Sequence, residues 1–430
     1  MESVVNVMDS FQKNNLTFIQ DGEVVNENII SHFSLPRKDT MSTTRDGVDV
    51  EVSNFVGMVY KGDEVLVSLP KHYSHIGHAE DSVSAEELGQ TDIDLLFRVM
   101  TKKRSAKTDE IIGKVDSELD SNYPLNAFFD IYEYYQRYGL YRETETLSHP
   151  NGRGIVSWRD TIRKSSNIIS KNRNLILLPL YKREKRDKAV FLTECMTFAI
   201  QHTLQQFRYA LRLPFQENMR VNPHMLKYGK QIVKRLRYTE HNVFKDINKN
   251  LIRALIAFFE TVPPRMDYVI IKTYNFESTW EKIVEEFLNR QFLGFDESSG
   301  LLKFDSLKEN NFNFNTQVKR YVNAANLKQS IRLDYFTKHG QTQYIFDAKY
   351  YRMLYEINYK QLVYHFLLKD EAKKTISALI IPTDGDSKQS PNLHFDINHI
   401  ELNKFDEDIK IYIYELNVRN GMKLYMDIEN

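Results

Sequence analysis

The stretch SIRLDYFTKHGQTQYIFDAKYY, residues 330–351, carries the strongest structural signal in the chain. Apolar and polar side chains alternate on both sides of His339-Gly340, which is typical of two strands joined by a two-residue loop. A loop at those two residues sets Asp334 opposite Ile345. The pattern therefore predicts a β-hairpin with an aspartate on its first strand.

The same register gathers three charged groups at one place on the sheet. Asp347 lies diagonally from Asp334, on the face that it shares with Lys349, at a Cβ spacing of about 7 Å. Two carboxylates at that spacing can hold one Mg²⁺, which polarises a phosphate and lowers the pKa of a bound water. An ammonium group beside them orients or stabilises the nucleophile. These residues therefore predict a site for metal-dependent phosphodiester hydrolysis.

The acid-x-Lys triplet is a weak signal by itself. The chain contains three further triplets of this kind, among them Asp386-Ser-Lys388. Only Asp347 ends an apolar strand that pairs with a second strand carrying an aspartate. A solvent-facing Asp and Lys pair at a sheet edge remains the alternative interpretation.

A predicted helix precedes the hairpin. Residues 278–292 show an apolar face, with Glu281 at its margin. Ser278 and Glu281 also form a capping-box pattern, in which the glutamate bonds to the backbone at the helix start. A structural role for Glu281 is therefore one open interpretation.

A second predicted helix follows the hairpin at about residues 358–368. Spacings of three and four place Tyr364 beside Lys360 and Gln361 on one face. We expect this polar stripe to contact a substrate phosphate. A solvated face opposite the core is the alternative.

Charge is balanced over the chain, with 58 Lys plus Arg against 58 Asp plus Glu. A polyanion must therefore be held by a local patch. Between His202 and Tyr238 eight basic residues face the single acid Glu217, with aromatic residues between them. We expect this patch, with Arg235 and Arg237, to follow a phosphate backbone without reading bases. Solvated helix faces are again the alternative.

Composition narrows the class of protein. The single Cys195 among 430 residues excludes an internal disulfide and a cysteine-rich zinc site, and favours a reducing compartment. The N-terminus lacks a leader pattern, and no run approaches about 18 apolar residues. We expect a cytoplasmic protein without a membrane segment.

Periodicity along the chain predicts an α+β multidomain protein in three parts. Residues 1–120 are expected to form a β-rich N-terminal module with a hairpin at 55–69. Residues 121–264 are expected to form a mainly helical middle domain that carries the basic patch. Residues 265–430 are expected to form a mixed α/β domain that folds without the N-terminal module.

Six segments between about residues 50 and 370 share a pattern with one known family. They are Phe55-Val-Gly57 through Pro70-Lys71, Asn151-Gly-Arg-Gly154 with Trp158 and Thr161-Ile162, Trp280-Glu281, Leu333-Asp334, Ile345 to Tyr351, and Lys360-Gln361 with Tyr364. Together they resemble LlaJI-type restriction endonucleases, which are similar to McrC subunits.

The resemblance implies a PD-(D/E)XK nuclease fold for the C-terminal domain. It implies that Asp334, Asp347 and Lys349 are catalytic, and that Glu281 joins the two aspartates in holding Mg²⁺. The motif's proline is missing, since Leu333 precedes Asp334. The activity implied is cleavage of DNA in a restriction system for phage defence.

The resemblance also implies a partner, a McrB-like AAA+ GTPase. The chain has no GxxxxGK[ST] motif, so GTP is expected on the partner chain. Residues 1–120 are expected to couple to that partner. Two other functions stay open: a non-catalytic adaptor of an AAA+ GTPase on DNA, and a stand-alone structure-specific repair nuclease. The intact set of Asp334, Asp347 and Lys349 argues against the adaptor.

Overall fold

A computed structural model describes residues 11–13, 15–45, 47–74, 88–102, 119–151, 153–169, 171–217, 219–263, 267–305, 311–321, 329–354, 356–399 and 409–428. These residues form two compact units. The first unit contains the residues up to Ser121, those from Asp267 onward, and Tyr209–Leu211. The second contains the other residues in between. The chain therefore leaves the first unit, builds the second, and returns.

The helices and strands follow one another along the chain. The N-terminal part of the first unit contains β1 (Phe11–Lys13), β2 (Leu16–Gln20), α1 (Glu27–His32), β3 (Thr40–Arg45), β4 (Val48–Ser53), β5 (Val56–Lys61), β6 (Glu64–Leu69), α2 (Gln90–Thr101) and β7 (Leu119–Ser121). The second unit contains α3 (Leu125–Tyr138), β8 (Glu143–Pro150), β9 (Ile155–Val156), α4 (Trp158–Lys164), β10 (Ser166–Ile169), β11 (Leu175–Leu178), β12 (Tyr181–Lys188), α5 (Phe191–Gln206), α6 (Gly229–His241) and α7 (Asp246–Thr261). The returning part of the first unit contains β13 (Tyr268–Thr273), α8 (Phe276–Gln291), β14 (Phe292–Asp296), β15 (Leu301–Phe304), β16 (Asn315–Tyr321), β17 (Ser330–His339), β18 (Thr342–Ala348), α9 (Tyr359–Leu368), β19 (Lys374–Thr383), β20 (Lys388–Gln389), β21 (Phe395–Asp396), β22 (Lys410–Asn417) and α10 (Val418–Tyr425).

A six-stranded sheet in the order β1-β2-β6-β5-β13-β7 forms the N-terminal part of the first unit. The hairpin predicted at residues 55–69 is confirmed, with Lys61 opposite Glu64. Gly57 lies so close to β13 that an added Cβ would come within 2.2 Å of the Ile271 carbonyl oxygen. Glycine is therefore required where β5 meets the returning strand. This sheet takes a strand from beyond the predicted boundary at residue 265.

A buried ion pair fixes β13 in the first unit. The Nζ of Lys272 donates to both carboxylate oxygens of Asp39 at 2.9 and 2.7 Å, and the Tyr274 hydroxyl donates to one of them at 2.7 Å. Asp39 is 0% and Lys272 1% exposed. A charge buried at this depth needs its partner, because an unpaired one costs several kcal/mol.

The second sheet of the first unit has the order β16-β17-β18-β19-β22-β20, with β21 also on β22. Neighbouring strands from β16 to β18 are antiparallel, whereas β18, β19 and β22 are parallel. The crossover from β18 to β19 contains α9. The helices predicted at 278–292 and 358–368 are both present, as α8 and α9. The first unit is therefore mixed α/β. The carboxyl ends of the parallel strands β18, β19 and β22 lie at the same end of the sheet.

The second unit combines helices with strands. Helices α3, α5 and α7 pack on one another and α6 packs on α7. A three-stranded sheet, β8-β12-β9, and the hairpin β10–β11 lie between α3 and α5 in sequence. The prediction of a mainly helical region misses these strands because β12 reads YKREKRDK and has no apolar alternation. Among the described residues, no helix has the length and apolar character needed to cross a membrane.

Candidate active site

The hairpin that carries the two aspartates has a different register from the predicted one. Its two-residue loop is Gly340-Gln341, and Phe336, not Asp334, pairs with Ile345. Gly340 has a φ of +60°, which suits the first central position of a type II′ turn, whereas the predicted loop placed glycine second. The slip amounts to two residues, so every side chain keeps its predicted face.

Asp334 and Asp347 meet at the open end of this hairpin. The last pair in the register joins Tyr335 to Phe346, and the next position sets the two aspartates across from each other. Burial, a hydrogen bond with Asp347 and the charge of that residue raise the pKa of Asp334 to about 8. Asp347 is buried, with 3% of its surface exposed. Asp334 therefore keeps its proton at neutral pH, hydrogen-bonded to Asp347.

Lys349 completes the cluster from the end of β18. Its Nζ lies 2.7 Å from Oδ2 of Asp347, and 12% of its side chain is exposed. Its backbone N–H donates to the Ile380 carbonyl on β19 at 2.9 Å. Burial lowers the pKa of the amine, but the neighbouring carboxylates of Asp347 and Asp334 outweigh it, and the pKa is raised overall. The amine therefore keeps its positive charge.

Asn358, the N-cap of α9, also holds Asp347. Its Nδ2 donates to Oδ2 of Asp347 at 3.0 Å, while its Oδ1 accepts from the Gln361 backbone N–H at 3.2 Å. The backbone N–H of Asn358 donates to Nε2 of His394 at 2.9 Å. Sequence reasoning missed this residue. An asparagine before a helix signals a cap, but the local pattern does not reveal an aspartate beside it.

Glu281, on α8, acts on the pair through its charge. The helix α8 begins at Phe276, so Ser278 lies inside the helix and the capping-box interpretation is wrong. The charge of Glu281 contributes to the raised pKa of Asp334, and the Tyr335 hydroxyl donates to the Glu281 carbonyl at 2.5 Å. In the part of the chain that the structure describes, no three His, Cys, Asp or Glu side chains come close enough to hold a metal together.

The polar stripe predicted on α9 is mostly turned into the fold. Gln361 is fully buried, and its Nε2 donates to the Ile345 carbonyl at 2.5 Å. The Tyr364 hydroxyl donates to the Arg332 carbonyl at 2.8 Å. Both side chains brace α9 against the two strands of the hairpin. Of the three predicted substrate contacts on this helix, only Lys360 is exposed.

The segment after Lys349 is anchored on residues of the N-terminal part of the same unit. The Tyr350 hydroxyl accepts from the Lys71 backbone N–H at 2.7 Å. The Arg352 guanidinium pairs with both carboxylate oxygens of Glu23, at 2.8 and 3.0 Å. The position of Lys349 therefore depends on residues that the sequence assigns to a separate module.

The arginines predicted to contact DNA lie on α6 in the second unit. The Arg235 guanidinium lies 3.9 Å from the centre of the Phe191 ring, and Arg237 pairs with Glu260 at 2.5 Å. Both arginines are exposed. Their side chains are held by neighbours while they face solvent, and their contact with DNA stays a prediction.

The paired aspartates fit a divalent cation. Two carboxyl groups close enough to share a proton offer hard oxygen ligands on one side, and a cation can take the place of that proton. Neither residue is a His or a Cys, so the donor set suits Mg²⁺ better than Zn²⁺. Asp334 and Asp347 are the residues that would hold it.

The site lies in a region of the chain that matches known nucleases. The model of the LlaJI restriction endonuclease family matches residues 55–378, a range that contains both aspartates and both flanking helices. The protein is accordingly a nuclease of a restriction system. It belongs to the LlaJI restriction endonuclease family.

None of the curated proteins matches the chain. Among solved structures, a similar one is the refined half-complex from a tetradecameric assembly of Thermococcus gammatolerans McrB AAA+ hexamers with bound McrC, with 13% identity over 96% of this chain and 98% of that chain and a TM-score of 0.36. A likeness at that score does not establish a shared fold, so the family assignment rests on the sequence match.

Proposed function

We propose that this protein is a Mg²⁺-dependent DNA endonuclease of the PD-(D/E)XK type, the cutting subunit of its restriction system. The observation that carries the proposal is the contact between the carboxyl groups of Asp334 and Asp347, with the Lys349 amine 2.7 Å from the second. Two carboxylates and one ammonium group are what metal-assisted phosphodiester hydrolysis needs. Membership of a restriction endonuclease family supports DNA as the substrate.

Each residue of the cluster has a role that follows from its charge. Mg²⁺ held by Asp334 and Asp347 would polarise the scissile phosphate and activate a water. Lys349 keeps its proton, so it donates hydrogen bonds to phosphate oxygens and stabilises the charge that develops during attack. Glu281, whose charge already acts on Asp334, would orient the water. Asn358 keeps the Asp347 carboxylate from rotating away.

Basic side chains would hold the DNA. Lys360 lines the same cavity as Lys349, and its exposed amine would contact a neighbouring phosphate. Arg235 and Arg237 would bind phosphates through the second unit, as part of the basic patch. Gln361 and Tyr364 would act indirectly, by fixing α9 on the hairpin.

A McrB-like AAA+ GTPase is the partner that we propose. The sequence contains no GxxxxGK[ST] motif, so any GTP hydrolysis that drives cleavage belongs to another chain. We place the complex in the cytoplasm, as a defence against phage DNA. The family resemblance supports this part of the proposal.

The test is a cleavage assay with the purified protein and an AAA+ GTPase encoded beside it. Cleavage that needs Mg²⁺, GTP and the partner supports the proposal. Cleavage with Mg²⁺ alone would favour a stand-alone repair nuclease. Stimulated GTP hydrolysis without any cleavage would favour the adaptor.

A further inference from the structure

A cavity opens beside the candidate active site, between the end of β18 and the start of α9. Its volume is about 450 Å³, within the range of about 300–1,000 Å³ that is typical of small-ligand sites. Lys349 lines it at one end of the segment and Lys360 at the other. The cavity therefore shares the lysine that we assign to the scissile phosphate.

The wall of this cavity is aromatic and apolar, although it faces solvent. Tyr351 is 46%, Met353 56%, Ile357 43% and Tyr359 73% exposed. Four large apolar side chains gathered in one short segment form a patch of the kind that marks a binding site. Leu354, also in the lining, packs on the core cluster around Leu379 and so gives the cavity a fixed floor.

The position of Lys349 limits what can occupy the cavity. A phosphate beside this amine is joined to its own base through a single sugar, so that base has to lie close by. In an intact duplex the base is paired and stacked inside the helix, and the aromatic wall would stay uncovered. A base turned out of the stack would cover it, because aromatic rings stack on any base.

Charge around the cavity agrees with a nucleotide. Lys349 and Lys360 place an ammonium group at each end of the segment, which suits the phosphates on either side of one base. Among the described residues that line the cavity, Glu356 is the one acid, and it is exposed. Tyr351 also lies close enough to Lys349 to affect the pKa of its amine.

We infer that this cavity binds an unstacked nucleobase next to the scissile phosphate, against the rings of Tyr351 and Tyr359. The inference rests on the proposed function and adds a substrate class to it. The duplex that enters the site is opened locally at that base.

The test compares a short single-stranded DNA with the same sugar-phosphate backbone lacking its bases. Binding is measured by fluorescence anisotropy in EDTA, so that no cleavage takes place. Wild type is expected to bind the strand with bases about tenfold more tightly. Combining Tyr351→Ala with Tyr359→Ala is expected to reduce that ratio to about one.

Matched variants separate stacking from a general effect on folding. Tyr351→Phe and Tyr359→Phe keep the rings and are expected to keep the ratio. Tyr138→Ala removes a tyrosine of similar exposure, 54%, from the second unit and is expected to leave the ratio unchanged. Equal binding of the two strands by wild type, or an unchanged ratio in the double alanine variant, would overturn the inference.

A parallel cleavage assay distinguishes this inference from the proposed function. A preference for bases that depends on both tyrosines, in a protein that never cleaves DNA, would contradict the proposed function and support the cavity. Cleavage by a wild-type protein without such a preference would support the proposed function and contradict the inference that the cavity binds a base.

Discussion

Asp334 is a residue at which stability and the proposed activity oppose each other. Its pKa of about 8, raised from 3.8, means that the folded chain keeps a proton that the unfolded chain loses. Between those two pH values the folded state binds more protons, so the free energy of unfolding falls as pH rises. The partly buried Asp334 carboxyl therefore makes the fold less stable at pH 8 than at pH 5.

Asp334→Asn is therefore expected to stabilise the metal-free protein at pH 8. The amide needs no proton to lie beside Asp347, so we expect a rise in Tm on the order of 2–4 °C at pH 8 in EDTA, and a smaller rise at pH 5. Differential scanning fluorimetry at the two pH values measures it. Mg²⁺ is expected to raise the Tm of wild type and not of the variant. A lower Tm for the variant at pH 8 would contradict the shared proton.

Cleavage is expected to depend on the same cluster. Asp334→Ala and Lys349→Ala should each lower the cleavage rate on the order of a thousandfold or more, with DNA binding little changed, because both groups act mainly in the transition state. The matched control is Asp386→Asn, which alters an exposed acid-x-Lys triplet of the same unit and should cleave normally. A wild-type cleavage rate in either alanine variant would contradict the assignment of that residue to catalysis.

Helix α9 shows which features can be predicted from the sequence and which cannot. Periodicity predicts the helix to within a residue or so, because its apolar spacing is local information. It does not predict that Gln361 and Tyr364 are buried, because the choice of face is made by the parallel crossover onto β18 and β19. The same holds for the hairpin. Alternation predicts the face on which Asp334 lies, but the register depends on which position of the turn Gly340 occupies.

The N-cap of α9 is expected to affect catalysis as well as stability. Asn358→Ser keeps a capping oxygen but loses the amide that reaches Asp347, so the cleavage rate should fall about tenfold with nearly unchanged DNA affinity. Asn417→Ala, at the N-cap of α10, is the control. It should lose about 1 kcal/mol of stability and keep its cleavage rate per folded molecule. Equal cleavage rates in wild type and Asn358→Ser would show that Asn358 only caps α9 and has no role in catalysis.

The ion pair on β13 is expected to dominate the stability of the first sheet. Asp39→Ala leaves the Lys272 ammonium buried and unpaired, so the free energy of unfolding should fall by about 3–5 kcal/mol. Adding Lys272→Met should restore much of that loss, because no buried charge remains. Urea denaturation of both variants measures the difference. A double variant no more stable than Asp39→Ala would show that packing, and not charge, is responsible.

The first unit is discontinuous in sequence. The expectation that residues 265–430 fold without the N-terminal module conflicts with three contacts: Lys272 with Asp39, Tyr350 with Lys71, and Arg352 with Glu23. Local patterns did not reveal these contacts because each joins residues more than 200 positions apart.

In a chain lacking residues 1–120, the second sheet of the first unit is therefore expected not to fold. The second unit should remain helical, since its helices pack on one another, while residues 267–430 should exchange amide hydrogens rapidly. Hydrogen exchange read by mass spectrometry distinguishes the two parts. Protection of residues 330–349 equal to that in the full-length chain would show that the C-terminal sheet folds independently.

During synthesis on the ribosome, the paired strands β5 and β13 are made far apart in time. Strand β5 emerges before β13, and its apolar side chains are buried only in the folded protein. One of its hydrogen-bonding edges still lacks its partner, Tyr268–Thr273. At about 5–20 residues per second, the partner follows roughly 10–40 s later, after the whole second unit has been made. During that interval the open edge can pair with another nascent chain. Slower translation of the segment between the two strands lengthens this exposure, so the yield of folded enzyme in a cell is tied to the speed at which its middle is synthesised.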